Sequence, residues 1–219
     1  IAVTIGKVEE VVEIELVNYF IKGNIALTKV DEDYPDNKLS GAVFEVYSDT
    51  NGDGKLDKDD TLLGEMKELD GSVYQMSELR YGKYLVKETK APTGFVLDED
   101  VYAVSTEENG KTYTVENKAG VGFINAAQKG SLKIVKTSSD GKVEGFSFRV
   151  TGVDYDQTFK TDKNGEIVIE GLRIGDYTVS EVSDKASAGY ILPADKQATV
   201  KVDTTTIVQM HNEFRDTPK

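Results

Sequence analysis

There is no cysteine among the 219 residues, which excludes disulfides and thiolate metal sites and leaves any covalent reinforcement to other side chains. Histidine occurs once, as His211, and one histidine without a cysteine or a nucleophile elbow supports no catalytic triad. No apolar run is long enough to span a membrane and no signal peptide can be read, so membrane insertion is not expected. Positive charge is scarce: 26 Lys+Arg stand against 39 Asp+Glu, and the formal net charge of −13 repels nucleic acid and anionic membrane surfaces. A sustained helical period is also missing.

What is present is β-forming. Many Thr, Val and Tyr residues and 20 Gly fall in short alternating segments separated by turns such as Glu-Asn109-Gly, Asp140-Gly and Lys-Asn164-Gly. An internal repeat organises them. Gly23-Asn-Ile-Ala-Leu-Thr-Lys29 matches Gly130-Ser-Leu-Lys-Ile-Val-Lys136, and Leu39-Ser-Gly-Ala-Val-Phe44 matches Val143-Glu-Gly-Phe-Ser-Phe148. Leu79-Arg-Tyr-Gly-Lys-Tyr-Leu-Val-Lys-Glu88 matches Leu172-Arg-Ile-Gly-Asp-Tyr-Thr-Val-Ser-Glu181 without a gap. Two homologous domains follow, 23–129 and 130–219, each expected to be a Greek-key, immunoglobulin-like β-sandwich of about seven antiparallel strands. The Lys-to-Glu interval is 59 residues in the first and 45 in the second, so the first carries an insertion of 14, placed at Asp49–Leu63.

Residues 1–22 read as two strands, Ile1–Ile5 and Val11–Phe20, the second with Val12, Ile14, Leu16 and Asn18 on one face. Their resemblance to the C-terminal pair Ala-Thr-Val-Lys-Val and His-Asn212-Glu-Phe marks them as the closing strands of a preceding, truncated domain. The chain then reads as a piece of something longer.

The chemistry lies in polar residues on apolar faces. In a strand, Tyr84, Val86 and Glu88 share a side, so Glu88 points where two core residues point. A buried carboxylate needs a partner. Lys29 shares its face with Ile25 and Leu27, Lys136 shares its face with Leu132 and Ile134, Asn125 lies with Phe123, and Asn212 lies with Val208 and Met210. Asn125 precedes Lys136 by 11 residues as Asn18 precedes Lys29, which selects Asn125 over nearby Asn117. Burial lowers a lysine pKa and raises that of a glutamic acid, making a neutral amine and a neutral acid accessible near neutral pH. The amine can then attack the Asn carboxamide carbon, with protonated Glu88 or Glu181 bonded to the carbonyl oxygen and shuttling protons until ammonia leaves. The expected products are isopeptide cross-links Lys29–Asn125 and Lys136–Asn212. Asn18, with no lysine upstream, is left as an unpaired strand residue.

With these residues in view, the chain resembles tandem B-type repeats of Gram-positive surface proteins, the CnaB-like or SpaA-like pilin domains also found in collagen adhesins. The resemblance rests on Leu-Thr-Lys-Val-Asp at 27–31, the box Gly-x-Tyr-x-x-x-Glu-Thr-x-Ala-Pro-x-Gly-aromatic at 82–95, and an Asn in the last strand. It covers nearly the whole chain, although the second box, Glu181 to Tyr190, lacks the proline and adds a residue. It implies a mechanical stalk segment of an adhesin or pilin, extracellular and wall-anchored through a region outside the chain, with neighbouring domains of the same protein as partners. The chemistry is single-turnover, so no conventional enzyme is expected. The alternative function is a ligand-binding domain recognising host matrix or glycan through its loops, for which Val153-Asp-Tyr155-Asp-Gln-Thr-Phe159 is the one candidate, against a plain strand-edge turn.

The insertion carries a separate signal. Asp49, Asn51, Asp53, the Lys55 carbonyl, Asp57 and Asp60 match a calcium loop, with Asp in place of the EF-hand glutamate at its last position. Calcium is therefore the expected cofactor, and none is needed for the cross-links. His211 alternates with Asn212 and belongs on the surface.

Overall fold

The computed structural model describes Thr4, Gly6, Val11 and residues 13–215, and none of these residues is helical. The first sandwich is built from β1 (Lys22–Asp31), β2 (Val43–Ser48), β3 (Thr61–Glu65), β4 (Lys67–Leu69), β5 (Val73–Arg80), β6 (Gly82–Lys90), β7 (Val101–Thr106), β8 (Thr112–Thr114) and β9 (Phe123–Asn125). The second contains β10 (Lys129–Ser138), β11 (Ser147–Gly152), β12 (Tyr155–Lys160), β13 (Glu166–Arg173), β14 (Gly175–Glu181), β15 (Tyr190–Ile191), β16 (Lys196–Val200) and β17 (Thr205–Phe214). The fold is all-β, as the patterning requires. Corresponding sheets run β4-β5-β1-β8, with β9 also on β1, and β13-β10-β17-β15; their facing partners are β3-β2-β6-β7 and β12-β11-β14-β16.

Each core is the set of inward residues of two facing sheets. Ile25, Leu27, Phe44, Val46, Tyr74, Val86 and Phe123 fill the first, and Leu132, Ile134, Phe148, Val150, Tyr177, Val179 and Met210 the second. Burying each large side chain contributes roughly 1.5–3 kcal/mol. Phe44 stacks edge-on with both Tyr74 and Phe123, at 5.1 and 4.9 Å between ring centroids. The shared Leu-Arg-x-Gly-x-Tyr sequence closes the same corner twice: the Tyr84 hydroxyl donates to the Arg80 carbonyl at 2.6 Å, and that of Tyr177 to the Arg173 carbonyl at 2.9 Å.

The strands are not all antiparallel. The first strand of each domain lies parallel to the last, β1 against β8 and β9, β10 against β17. The registers pair Lys29 with Phe123 and Asp31 with Asn125, and likewise Lys136 with Met210 and Ser138 with Asn212. Lysine and asparagine are thereby diagonal neighbours on one face. In the first domain the last strand is interrupted between β8 and β9, whereas β17 runs unbroken. Gly122, at φ +134°, permits the return, since a Cβ there would lie 2.9 Å from the Thr28 carbonyl oxygen.

The insertion forms the connection between β2 and β3, where β11 and β12 are joined by a tight turn with Asp154 at φ 50°. Residues 153–159 are therefore a turn leading into edge strand β12. Residues 13–20 carry no regular structure and are exposed, so the strand expected over Val11–Phe20 is not formed in its described part. An alternating segment without a sheet edge to pair with leaves its backbone to water. Most of the strand expected at Ile1–Ile5, and Val12, lie outside the described residues.

The two domains meet at an ionic joint. Arg173, the last residue of β13, forks onto Asp31 at the end of β1, with N···O distances of 2.6 and 2.8 Å, and reaches Asp33 at 3.1 Å. Lys129 adds a second contact to Asp33 at 3.1 Å. The Asp31 side chain is 2 % exposed and that of Arg173 15 %. Burial pushes the Asp31 carboxyl up, but the Arg173 fork and backbone N–H groups of Asp33 and Tyr34 outweigh it and hold it below the ordinary value. Its contribution to stability is present above the ordinary carboxylate pKa and is lost as pH falls through the lowered one. Arg173→Ala leaves a buried carboxylate without its cation, and is expected to free the joint at neutral pH. NMR relaxation would then report distinct tumbling of the two domains; a single common correlation time in the variant would contradict this role.

Candidate cross-linking sites

In the first domain the three expected residues converge. Lys29 comes from near the end of β1, Glu88 from near the end of β6 in the facing sheet, and Asn125 from β9. All three are buried. The Lys29 ammonium makes a very short hydrogen bond to Asn125 Oδ1, donates to the Phe123 carbonyl at 3.1 Å, and sits 4.9 Å from the Phe123 ring centre. The Asn125 amide donates to both Glu88 oxygens, at 3.1 and 2.9 Å, and Lys29 Nζ lies 3.7 Å from Glu88 Oε1. Glu88 Oε2 also accepts the Asp98 N–H at 2.9 Å. The carboxyl therefore faces the amide nitrogen, and the carbonyl oxygen is taken by lysine, where the sequence reading put the carboxyl on the oxygen.

The electrostatics are those of a desolvated pair. Burial brings Lys29 down to about 8 in spite of the opposing charges of Glu88 and Asp98. Burial raises Glu88, against the Asp98 N–H, the Asn125 amide and the Lys29 charge, all of which favour the anion. Neutral amine and neutral acid thus approach one another in free energy.

The second domain assembles the same residues with one difference. Asn212 donates to Glu181 Oε1 at 2.7 Å, and burial lowers Lys136 and raises Glu181. Lys136 is 1 % exposed, but its amine donates to the Thr137 carbonyl and lies 4.4 Å from the Phe146 ring centre. Glu181 Oε2 and Asn212 Oδ1 are buried without a hydrogen-bond partner. Two orphaned acceptors in one site are costly, and a proton on Glu181 turns one of them into a donor. The altered box after Glu181 is held by Asp184, which accepts the Ala186 and Ser187 N–H groups and the Ser147 hydroxyl.

Of the other expected residues, Asn18 is exposed and outside any strand. His211 is on the surface, bonded to Thr137 and Glu213. In the β2–β3 loop the Asp49 carboxylate, itself mostly buried, accepts the N–H groups of Gly52 and Gly54, at 2.8 and 3.2 Å. Asn51 and Asp53 accept the Asp53 and Lys55 N–H groups, and Asp60 accepts those of Thr50 and Asp57. The loop oxygens are turned to their own backbone, and among the described residues no three of Asp, Glu, His or Cys converge on a common point. Asn117, set aside in the sequence, proves to be bonded into the first site. Its amide accepts from the Ile124 N–H and donates to the Ile124 carbonyl and to Asp98. No strand parity could place it, since it sits in the break between β8 and β9.

The second domain and most of the first match the family model described as the SpaA prealbumin-like fold domain, over residues 23–119 and 130–214. Among solved structures, the Bacillus anthracis TIE protein superposes with a TM-score of 0.65 at 25% identity, covering 89% of this chain and 34% of that one. The pilus adhesin SpaC of Lactobacillus rhamnosus GG superposes with a TM-score of 0.51 at 14% identity, covering 89% of this chain and 31% of that one, a likeness of fold. The chain thus spans about a third of the length of these larger proteins. No curated protein sequence matches it. With two successive matches that together cover most of its length, this chain belongs to the SpaA prealbumin-like fold domain family.

Proposed function

We propose that the chain is a load-bearing stalk segment of a Gram-positive cell-surface adhesin or pilin, and that each domain locks itself by an isopeptide bond, Lys29–Asn125 and Lys136–Asn212. The observation that carries this reading is the buried contact of Lys29 Nζ with the Asn125 carboxamide while Glu88 holds the same amide from its nitrogen side. Lys29 passes a proton to Glu88 and attacks Asn125 Cγ as the neutral amine. The attacking nitrogen then gives a proton to the carboxyl, which returns one to Nδ2. The Cγ–Nδ2 bond breaks and ammonia leaves, taking up the proton that Glu88 first received from Lys29, so that it departs as ammonium and Glu88 ends as the carboxylate it began as. In the second domain Glu181 plays the same part, after Lys136 turns from the Thr137 carbonyl to Asn212.

Intact mass of the denatured protein tests the reading directly. A deficit of two ammonia molecules against the sequence mass is expected, with peptide mapping placing them at Lys29–Asn125 and Lys136–Asn212. An undiminished mass would reduce both sites to ordinary buried polar networks.

For the β2–β3 loop we propose calcium held by Asp49, Asn51, Asp53, the Lys55 carbonyl, Asp57 and Asp60. The loop carboxylates must first exchange their backbone partners, which places the affinity with the weak extracellular modules, about 10⁻⁴ to 10⁻³ M. Calorimetric titration is expected to show one site in that range, lost in Asp49→Ala. No heat of binding up to 10⁻² M, roughly ten times the upper limit, would remove calcium from the account.

A further inference from the structure

We infer that Asn117 is a positioning residue for the cross-linking reaction of the first domain, setting Asn125, the lysine-orienting carbonyl and Glu88 through a single side-chain amide. This rests on the proposed isopeptide chemistry and deepens it.

The need for such a residue arises from the broken last strand. In the second domain β17 pairs continuously with β10 from Thr205 to Asn212, so the ladder itself fixes the height of Asn212. In the first domain the ladder stops at Thr114 and resumes at Phe123, leaving only the three residues of β9 to carry Asn125. Residues 115–122 leave and return as a small loop, closed by the mutual Lys118 and Gly122 backbone hydrogen bonds. β9 is paired along its three residues by β1 alone, and its other side is tied only beyond Asn125, where the Ala126 carbonyl accepts the Val96 N–H at 2.9 Å, yet it must present a carboxamide to an amine within a fraction of an ångström.

Asn117 supplies the missing side. Its Oδ1 accepts the Ile124 N–H at 2.6 Å and its Nδ2 donates to the Ile124 carbonyl at 2.9 Å, so the amide bonds Ile124 as a neighbouring strand residue would. Those two groups belong to the peptide units on either side of Ile124. One unit contains the Phe123 carbonyl that receives Lys29 Nζ, and the other leads into Asn125. The same Nδ2 donates to Asp98 Oδ2 at 2.7 Å, an oxygen that also accepts the Tyr102 hydroxyl at 2.8 Å. The backbone N–H of Asp98 in turn holds Glu88 Oε2. Amine, carboxamide and carboxyl are therefore referred to one half-buried side chain that touches none of the reacting atoms. The second domain, whose strand is unbroken, has no need of it.

The test is the rate of bond formation in the full chain made by cell-free translation. Samples are quenched in denaturant at intervals and the Lys29–Asn125 and Lys136–Asn212 peptides quantified by mass spectrometry. In Asn117→Ala the first bond is expected to form about 10²-fold more slowly, the effect of a displacement near 1 Å, while the second keeps its wild-type rate. Asn117→Asp keeps the acceptor for Ile124 but sets a carboxylate against Asp98, and should also be slow. The double variant Asn117→Asp with Asp98→Asn restores a donor–acceptor pair and should recover part of the lost rate. Near-ultraviolet circular dichroism at each time point gives the folded fraction, so the rate is expressed per folded molecule. A merely structural role predicts lower melting temperatures with unchanged rates per folded molecule, and that outcome overturns the inference. If neither bond forms in the wild type, the underlying chemistry has failed; if both form and Asn117→Ala is as fast as wild type, only the role of Asn117 has.

Discussion

Replacing Glu88 with alanine is expected to leave the Lys29–Asn125 bond unmade while Lys136–Asn212 still forms, so that the mass deficit falls from two ammonia molecules to one. Among the described residues the carboxyl is the only acid in contact with both the amine and the departing nitrogen, at 3.7 Å from Lys29 Nζ and about 3 Å from Asn125 Nδ2. A positioned acid–base group typically contributes 10²–10⁴-fold, and here one group serves both proton transfers, so the loss should lie toward the upper end, about 10⁴-fold. Glu181→Ala should give the mirror result. A first bond that forms at the wild-type rate in Glu88→Ala would eliminate Glu88 from the mechanism. The pH dependence has a defined sign. The reaction needs one proton shared by amine and carboxyl. Above about 8, where Lys29 loses its proton, the pair has none left to give the leaving nitrogen. Below the raised pKa of Glu88 the pair holds two, and the amine is charged. The rate is expected to be level between these limits and to fall on both sides; a rate still climbing tenfold per pH unit through pH 10, about the ordinary lysine value, would show that burial does not depress Lys29.

Lys29→Met is the second large effect. It fills the lysine volume without a nucleophile and should yield a first domain that folds but is no longer closed on itself. The proposed bond would join residues 96 apart in sequence, and the chain-entropy relation for a disulfide of that loop length gives about 5 kcal/mol. At 4–8 °C per kcal/mol for a domain of this size, the first unfolding transition should drop by roughly 20–40 °C. Pulling on single molecules gives a more direct reading. In the wild type the residues between Lys29 and Asn125 should add nothing to the extension, because load passes through the side-chain bridge. In Lys29→Met the first domain should release those 96 residues, about 340 Å at roughly 3.5 Å each. Wild-type traces with the same release would show that force does not travel through the bridge.

Strand parity was enough to find Lys29, Glu88, Asn125, Lys136 and Asn212, because in a period-two element a polar residue on the apolar face declares itself from sequence alone. The repeat placed the insertion, since two copies of one fold must agree everywhere but at an excursion. What parity cannot supply is direction or partner. The parallel first-to-last pairing follows from chain routing, which leaves no mark on alternation. Asn117 acts from an irregular loop, where no period exists to be violated. The posture of Lys136 toward the Thr137 carbonyl depends on rotamers and on the Phe146 ring. The segment Val11–Phe20 alternates like a strand, but a strand exists only against another, and pairing is a property of the assembled sheet.

The parallel alignment of first and last strands also decides how the domains answer to load. A chain that enters at the start of β10 and leaves at the end of β17 exits at the pole opposite its entrance. Tension between neighbours is then applied along the strands. In a domain without its bridge the hydrogen bonds of the ladder would be strained in shear, all at once, instead of being peeled open one after another as they would be if both ends emerged at the same edge. Each repeat also carries the chain forward by at least one strand, about 33 Å for the ten residues of β10. The same routing that sets lysine beside asparagine thus makes the repeat a link with its eyes at opposite ends.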